Sequence, residues 1–587
     1  MAGIAMPVTL NTNIINTPGV HISESTAGLI PAGLATHDRV YIVGTGAQGD
    51  FNTPKQVIST DDLTNQFGLS PSLDAMALYF ANNPNGVAFF VRAGAPGRID
   101  IQVGVAVTGV YTVPINGSDC SFAALAGGTQ ADIVQGLVNA VNNNATVNGT
   151  VKAIAGTNGL IRLETLVMNA SFTIDTLVAP GGSSLTAAYW SHTINLATPA
   201  NGTWGITINS TAVSYASTGG QTLTAIVAAL ASAVKNHLTV GTLVNVSDIT
   251  ATSFKITAKT GALLALSSPI APAGSTTSST PSPVAPLAQQ FITAIQRSFD
   301  PDFDSQGFII APEAFATLVE QSDRVNVGVA LENHCSTEGF DWKTLIDAGA
   351  PSLISSVDRA NVEGLLYTTA RGHSSYFYPY VRNLQGTLVP PSAAIAGIAI
   401  RRYRDQGFQQ PPAGGQYPVK GVSDVAVRIG KAQQAVSNPL GINLIRYFPN
   451  QGVLVYGART RSSNPYYRFI NTRVILNVLI GTLREAFQTE VFSAVDGQGV
   501  LFMRLRQTAE AICYQLWDGG ALFGAQPEDA FRVICDRSNN PALDLENGIV
   551  RVDVYVATAP TAERILIGVT RVAIDQVQIV TQGLAAL

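Results

Sequence analysis

Hydrophobic and polar positions follow two different periods along the first hundred residues of the chain. Residues 39–43 form a short apolar run that is typical of a buried strand. The segments 60–67 and 73–81 have apolar residues at helical spacing, and the first of them opens on Thr60-Asp-Asp, which is typical of a helix start. Residues 87–92 predict the next strand. The order strand, helix, helix, strand indicates an α/β unit.

The same alternation returns after residue 285. The predicted elements are helix, strand, helix and strand over residues 291–297, 307–310, 314–321 and 325–331. Because they continue the earlier pattern, we expect residues 26–99 and 286–436 to form one α/β domain interrupted by an insertion.

An internal repeat lies within the insertion. Residues 111–116 (Tyr-Thr-Val-Pro-Ile-Asn) resemble residues 204–209 (Trp-Gly-Ile-Thr-Ile-Asn), at an offset of 93 residues (204 minus 111). Each copy predicts a β-hairpin followed by an amphipathic helix. We therefore expect two small duplicated α+β modules, at 100–195 and 196–285, and the Pro- and Ser-rich stretch 267–283 predicts a linker that leaves the second one.

Both chain ends predict extended arms. Residues 1–25 carry Asn, Thr, Pro and isolated apolar side chains without a helical period. Near the other end, residues 564–572 alternate, with Ile565, Ile567 and Val569 on one face. An exposed strand at a chain end is a template for pairing with another sheet, so we expect an arm at 562–587 as well.

The composition narrows the class of protein. Only 12% of the 587 residues are charged and 46% are hydrophobic, which predicts that much of the surface faces other protein. The net charge is −5 and no block of Lys and Arg occurs, so direct nucleic-acid binding is not expected. Apolar runs are too short to span a bilayer, and the N-terminus has no basic region of a signal peptide. The four scattered cysteines predict buried thiols in a reducing compartment.

Few residues in the sequence are candidates for catalysis or for cofactor binding. Gly44-Thr-Gly-Ala-Gln-Gly49 has the spacing of a dinucleotide-binding loop, but the residues that follow it, Asp50 to Pro54, cannot open a long helix. We interpret it as a glycine-rich turn. His334 beside Cys335 is weak support for a nucleophile and base. We therefore predict no catalytic residue, metal site or cofactor, and no enzymatic activity.

The last quarter of the chain carries the most specific pattern. Its ordered pieces are Ser437-Asn-Pro-Leu-Gly, Arg446-Tyr-Phe-Pro-Asn450, Tyr456-Gly-Ala-Arg459-Thr, Tyr467-Arg-Phe-Ile-Asn471-Thr-Arg473, Leu516-Trp517, Gly520-Ala-Leu-Phe-Gly524, Pro527-Glu-Asp-Ala-Phe531, Cys535-Asp536, Asn539-Asn-Pro541 and Glu546-Asn-Gly548. In this order the pieces resemble the C-terminal domain of contractile tail sheath proteins, which form the outer sleeve of myovirus tails and related injection machines.

The resemblance implies a fold and a mechanical role. The expected fold class is α+β (mixed α/β), with a discontinuous sheath core domain, inserted duplicated modules and extended terminal arms. The C-terminal sheath domain would span 437–561. The chain would stack as hexameric rings around an inner tail tube, contact baseplate and tail terminator proteins, and contract to drive the tube through a cell envelope. It would lie in the virion tail and assemble in the host cytoplasm.

The resemblance also implies residue roles. Candidates for adding strands to neighbouring subunits are Ile14, Ile15, Val20, Ile22, Ile565, Ile567 and Val569. On the polar side of the first C-terminal helix, Arg468, Arg473 and Arg484 are either solvated or contact the tube. Two other classes stay open: a surface-layer or adhesin-type structural protein, and a nucleotide-binding oxidoreductase that rests on the glycine loop alone.

Overall fold

The computed structural model describes residues 8–10, 13–15, 36–259, 262–297, 306–337 and 341–564. Near the N-terminus, the strands Val8–Leu10 and Asn13–Ile15 pair in antiparallel register. The strand candidates Ile14 and Ile15 therefore lie in a short hairpin. Val20 and Ile22 lie outside the described residues.

An eight-stranded sheet forms the centre of the α/β domain. In spatial order its strands are Gly452–Val455, Ile442–Phe448, Ser374–Tyr378, Lys343–Asp347, Gln306–Ile310, His37–Gly44, Ala88–Arg92 and Pro54–Val57. The six inner strands are parallel and the two outer ones pair antiparallel. Strands covered on both faces read as nearly continuous apolar runs, as the sequence around Val40 shows. The predicted mixed α/β class is confirmed.

Helices cover both faces of this sheet. They are Thr60–Phe67, Leu73–Asn82, Leu287–Arg297, Pro312–Thr317, Gln321–Cys335, Val357–Leu365, Ser392–Gln406 and Lys431–Ser437. Helices Leu73–Asn82 and Ser392–Gln406 pack together over one face, while Leu287–Arg297 and Gln321–Cys335 pack together over the other. A small sheet of Val381–Asn383, Leu388–Val389 and Val422–Val425 lies beside them.

The predicted strand at 325–331 is wrong. These residues lie inside the helix Gln321–Cys335, and the predicted helix 314–321 is replaced by Pro312–Thr317. The alternating valines suggested a strand, but the buried positions Arg324, Gly328, Leu331 and Cys335 recur at helical spacing. Small buried residues such as Gly328 carry no hydrophobic signal, which is why the helical period was missed.

Each inserted module contains a four-stranded antiparallel sheet, a hairpin and one long helix. The first sheet is Leu185–Tyr189, Pro96–Val103, Leu160–Met168 and Val151–Ala155, with hairpin Gly109–Ile115 and Ser118–Ala124 and helix Gln130–Asn143. The second sheet is Thr276–Ser282, Ser191–Ala197, Ser253–Ala258 and Val244–Ser247, with hairpin Gly202–Ile208 and Thr211–Ser217, strand Leu266–Ile270 and helices Leu223–Asn236 and Val240–Leu243.

The two modules contain matching elements at a constant spacing along the chain. Both hairpin strands and the helix begin 93 residues apart in the two modules (202 minus 109, 211 minus 118 and 223 minus 130). Each module buries a core of its own, with Tyr111 in the first at the position of Trp204 in the second. The helices are capped alike, since Thr129 and Thr222 each accept a hydrogen bond from the third backbone amide of the helix.

Two boundary predictions in the insertion are corrected. The strand Ser191–Ala197 belongs to the second sheet and crosses the expected boundary at 195, and the first module begins at Pro96 rather than at 100. The predicted linker 267–283 contains the strands Leu266–Ile270 and Thr276–Ser282. Thr276–Ser282 is an edge strand that pairs on one side only. Proline is tolerated at such an edge, because Pro281 has no backbone N–H and none is needed on the unpaired side.

The C-terminal part begins later than expected. Strands Ile442–Phe448 and Gly452–Val455 complete the eight-stranded sheet, so the predicted boundary at 437 divides the sheet domain. The rest comprises Pro465–Tyr467, Ile470–Gln488, Val500–Asp518, Pro527–Ala530, Phe531–Ile534, Ala542–Glu546 and Asp553–Val556. The apolar pattern of the sequence predicts helices over 468–487 and 501–516, and the observed Ile470–Gln488 and Val500–Asp518 agree with these bounds to within two residues at each end.

Candidate functional site

The glycine loop is occupied by a carboxylate of the chain itself. The backbone amide of Thr45 donates to Oε2 of Glu313 at 2.9 Å, its hydroxyl donates to Oε1, and the Ser72 hydroxyl donates to Oε2 at 2.7 Å. A Cβ at Gly44 would lie 2.9 Å from the same Oε2. Glu313 therefore takes the place that a phosphate would need.

The geometry after the loop does not suit a dinucleotide. The next element is the strand Pro54–Val57 and not a helix, so the loop does not open a helix of its own as a dinucleotide-binding loop does. Arg92 donates to the carbonyl oxygens of Gly46 at 2.8 Å and Gly49 at 2.6 Å, which holds the loop against the sheet. The loop is a structural turn, as the sequence indicated.

The environment of Cys335 disfavours a thiolate nucleophile. The residue is fully buried, and burial raises the pKa of its thiol well above the usual value, with the nearby Glu332 adding to the effect. Burial also lowers the pKa of His334 to about 4. Among the described residues, no group of three or more His, Cys, Asp or Glu is placed to hold a metal ion.

A buried ion pair in the sheet domain is fully satisfied. Glu363 accepts hydrogen bonds from Arg324 at 2.8 Å and 2.6 Å, from Tyr376 at 2.8 Å and from the Gly349 amide at 2.9 Å. The side chains of Arg324 and Glu363 are 3% and 0% exposed. This arrangement ties two helices to the sheet and offers no free acid or base.

The C-terminal part carries a two-stranded sheet with open edges. Phe531–Ile534 and Asp553–Val556 pair with each other and with no third strand in the described part of the chain. An isolated pair of strands is marginally stable in water, and its unpaired backbone groups are a template for another strand. This sheet is therefore the strongest candidate acceptor for strand addition.

The three candidate arginines have different environments. Arg473 is 0% exposed and donates to Oδ1 of Asn477 at 2.8 Å, so the expectation that it faces solvent or a tube is wrong. Burial on both sides of the helix Ile470–Gln488 explains the error, because a long interior helix has no single polar face. Arg484 is half-buried and pairs with Asp341 at 2.5 Å, whereas Arg468 is exposed and precedes the helix.

The segment that leads to the C-terminal arm is anchored to the body. Arg459 donates to both carboxylate oxygens of Glu563, at 2.9 Å and 2.5 Å, and Asn438 donates to one of them at 2.9 Å. Asn471 donates to the carbonyl of Ala559 at 3.0 Å and accepts from the Thr561 hydroxyl at 2.7 Å. We call residues 559–563 the arm root.

Several candidate residues cannot be placed. Ile565, Ile567 and Val569 lie outside the described residues, so their role as added strands stays a prediction. Sequence reasoning missed the arm root, although Arg459 and Asn471 both stood in the quoted C-terminal pattern. Glu563 carried no local signal, because its partners lie 104 and 125 residues away.

Helices of the described part are all too short or too polar to cross a bilayer. No protein-family model matches the chain. A curated tail sheath protein of Vibrio phage KVP40 is 29% identical over 224 residues, which confirms the resemblance stated from the sequence. The matched residues are 37% of this chain and 31% of the relative, so the chain spans about a third of the length of the relative that it matches.

Solved sheath structures give weaker likenesses. A chain in the baseplate of the anti-feeding prophage is 17% identical, with TM-score 0.47 and coverage of 95% of this chain and 100% of that chain. A chain of the contracted helical sheath of the same prophage is 16% identical, with TM-score 0.46 and coverage of 95% and 99%. The sheath tail protein Lin1278 from Listeria innocua is 11% identical, with TM-score 0.40 and coverage of 87% and 91%.

Proposed function

We propose that this chain is a structural subunit of a contractile tail sheath. It polymerises as stacked hexameric rings around an inner tail tube, and the sheath contracts to drive the tube through the target cell envelope. The observation that carries the proposal is the 224-residue similarity to a tail sheath protein. The low share of charged residues, 12%, also suits a subunit whose surface is largely covered by its neighbours.

The terminal arms link neighbouring subunits by strand addition. Residues 10–26 and 562–582 add as strands to sheets of adjacent copies, and the open edges of Phe531–Ile534 and Asp553–Val556 offer a place for them. Main-chain hydrogen bonds between copies persist while the domains rotate about the arms. The result is a mesh that stays connected through contraction.

Contraction needs no nucleotide in this scheme. The extended sheath is a metastable packing and the contracted one is more stable. A difference of a few kcal/mol in each subunit, on the order of a thousandfold bias, suffices because the transition spreads through the lattice.

Further contacts follow from the same proposal. Arg468, which is exposed, and the half-buried Arg484 face the inner tube. Baseplate and tail terminator proteins hold the two ends of the sheath. The subunit assembles in the host cytoplasm and belongs to the tail of the particle. The two inserted modules decorate the outer radius.

Negative-stain electron microscopy of the recombinant chain tests the proposal. We expect hollow tubes or stacked rings from the full chain, and folded monomers from chains that lack residues 1–26 or 565–587. The matched control replaces residues 565–572 by a Gly- and Ser-rich segment of equal length, which keeps the arm root and removes the alternating pattern. Tubes of wild-type appearance from either truncated chain would refute the mesh, and specific binding of NAD or ATP would favour an oxidoreductase instead.

A further inference from the structure

Charged residues of the C-terminal third are segregated by sign along the chain. Residues 425–484 contain Lys and Arg but no Asp or Glu, whereas residues 507–531 contain Asp and Glu but no Lys or Arg. Some of the cations have carboxylate partners, as Arg459 has in Glu563. Within the described part of the chain, Lys431 and Arg446 of the first stretch and Asp518 of the second make no ion pair. The two stretches therefore present unpaired charges of opposite sign.

Arg446 lies over two aromatic rings near the edge of the eight-stranded sheet. The central carbon of its guanidinium is 4.8 Å from the ring centre of Phe448 and 5.5 Å from that of Tyr456. The two ring centres are 4.9 Å apart, and Tyr456 is 44% exposed. Because the rings hold the guanidinium in place, little side-chain freedom is lost when a carboxylate binds it.

Lys431 lies next to this stack. Nε of Arg446 donates to the carbonyl oxygen of Ile429 at 3.0 Å. Gln434, in the first turn of the helix that Lys431 opens, donates to the carbonyl oxygen of Tyr456 at 3.0 Å. The start of that helix is therefore held against the stack, and Lys431 is exposed there. We call Lys431, Arg446, Phe448 and Tyr456 the basic surface.

An acidic surface lies on the C-terminal part of the chain. Asp518 is exposed and is the last residue of its helix, and Tyr514, one turn earlier on the same side, is 51% exposed. Phe523 is 64% exposed. The next residue, Gly524, accepts a hydrogen bond from the indole of Trp517 at 2.9 Å, which ties the Phe523 segment to the end of the helix. We call Tyr514, Asp518 and Phe523 the acidic surface.

Both charges are unfavourable in their own helices. The first backbone N–H groups of a helix disfavour a cation such as Lys431, and the last carbonyl groups disfavour an anion such as Asp518. Other helices of the chain have the favoured arrangement, with Asp in the first turn of Thr60–Phe67 and Gln130–Asn143 and Lys in the last turn of Leu223–Asn236. A charge that is unfavourable locally is expected where a partner outside the subunit pairs with it.

We propose that the basic surface of one copy docks on the acidic surface of a second copy, with Lys431 and Arg446 facing Asp518. The inference rests on the proposed function only in requiring that copies of the chain associate. The exposed aromatic side chains of both surfaces exclude water around the charges and strengthen their attraction. Because the two surfaces are different, each copy binds two others head to tail, and such contacts close into rings or continue as a helix.

Carbodiimide cross-linking of the full chain tests this docking. The reagent joins a Lys amine directly to a carboxylate, so that only groups in contact are linked. We expect mass spectrometry of an equal mixture of unlabelled and nitrogen-15-labelled chains to find Lys431 joined to Asp518 in peptides that combine the two isotopes. Lys420 is the matched control, since it is exposed and lies outside the basic surface. It should not be linked to Asp518.

Charge reversal separates docking from folding. Lys431→Glu and Asp518→Lys each place the favoured charge at the end of their helix, so neither should lower the Tm of the monomer. Each should weaken association about tenfold in sedimentation velocity at low ionic strength, where exposed charges are poorly screened. The double variant restores opposite charges and should recover most of the loss. Lys420→Glu should leave association unchanged.

Each contrary outcome is distinct. The docking between copies would be overturned if Lys431 were not linked to Asp518, if the linked peptides never combined the two isotopes, or if Lys420 were linked equally. Unchanged association in both single variants would overturn the charge pairing. Tubes of the wild-type chain without the cross-link would overturn the docking and leave the sheath in place. Cross-linked dimers that never form rings or tubes would support the docking and count against the sheath.

Discussion

Glu563 and Arg459 form a bidentate ion pair at the point where the C-terminal arm leaves the body, with N–O distances of 2.9 Å and 2.5 Å. Their side chains are 21% and 11% exposed. Partial burial would raise the pKa of Glu563, but hydrogen bonds from Arg459 and Asn438 outweigh it and hold the pKa below its usual value. The arm root is thus attached to the sheet domain through charge.

Replacing Glu563 should loosen the arm root without unfolding the body. We expect Glu563→Gln to remove roughly 1–2 kcal/mol of local stability, because one charge-assisted contact is lost at a partly exposed site. Hydrogen exchange of residues 557–563 should then accelerate about 5- to 30-fold. Glu485→Gln, at an exposed position of the helix Ile470–Gln488, is the control and should leave that exchange unchanged. Because the pKa of Glu563 is lowered, its contribution is present above the unfolded pKa near 4.3 and disappears as pH falls through the folded value.

Breaking the buried ion pair of Arg324 and Glu363 should lower stability far more than replacing Glu563 does. Arg324→Met leaves a buried carboxylate without its cation, and we expect a loss of about 3–5 kcal/mol in the free energy of unfolding. This loss is measured by urea unfolding, which is monitored through pulsed hydrogen exchange of the eight-stranded sheet. Adding Glu363→Gln should recover part of the loss, because the uncompensated charge is removed. Lys55→Met, in the exposed pair with Asp50, should have no measurable effect; a comparable loss there would contradict the burial argument.

His37 should make the sheet domain acid-sensitive. Its ring packs edge-on against Phe308 at 4.8 Å and Tyr403 at 5.9 Å, and burial lowers its pKa from 6.5 to about 3. The unfolded chain binds this proton between those two pH values and the folded chain does not, so stability falls as pH drops from about 6.5 to 3. We expect His37→Phe to flatten this dependence in urea unfolding followed over that range. His237→Gln, in the second module, should keep the wild-type slope, and an unchanged slope in His37→Phe would contradict the assignment.

Replacing either of two matched asparagines by alanine should destabilise its own module by about the same amount. Asn116 and Asn209 have φ of 50° and 46°, and their side chains accept from the amides of Thr173 at 2.9 Å and Ala265 at 2.8 Å. We expect Asn116→Ala to destabilise the first module by about 2 kcal/mol, through the lost hydrogen bond and the left-handed backbone. Asn209→Ala should do the same to the second.

Hydrogen exchange of the helices Gln130–Asn143 and Leu223–Asn236 separates the two modules. Each alanine variant should affect its own helix, because each module has a separate core. Asn116→Gly is the control, since glycine tolerates the backbone angle and should cost only the hydrogen bond. Equal effects of Asn116→Ala on both helices would show that the modules unfold as one unit.

Elements with strong local signals could be predicted from the sequence. The helix Thr60–Phe67 was expected at the observed bounds from the start signal Thr60-Asp-Asp, and the structure adds Ser59 as its cap. The repeat was equally visible, since duplicated elements keep their spacing. The prediction of a linker was wrong for residues 276–282. Ser, Thr and Pro are typical of linkers, and this segment becomes a sheet edge only because it pairs with the strand Ser191–Ala197.

The sequence alone determined several helices and strands of the first hundred residues, the repeated pattern in the insertion and the resemblance of the C-terminal quarter to sheath proteins. Those features depend on residues that are close in the chain. Only the tertiary structure decided that Ile442–Phe448 joins the sheet, that Arg473 is buried and that Glu563 meets Arg459. The physical reason is that local periodicity selects which face of an element is apolar, whereas the partner that covers the face is brought from far along the chain by the packing of the whole domain.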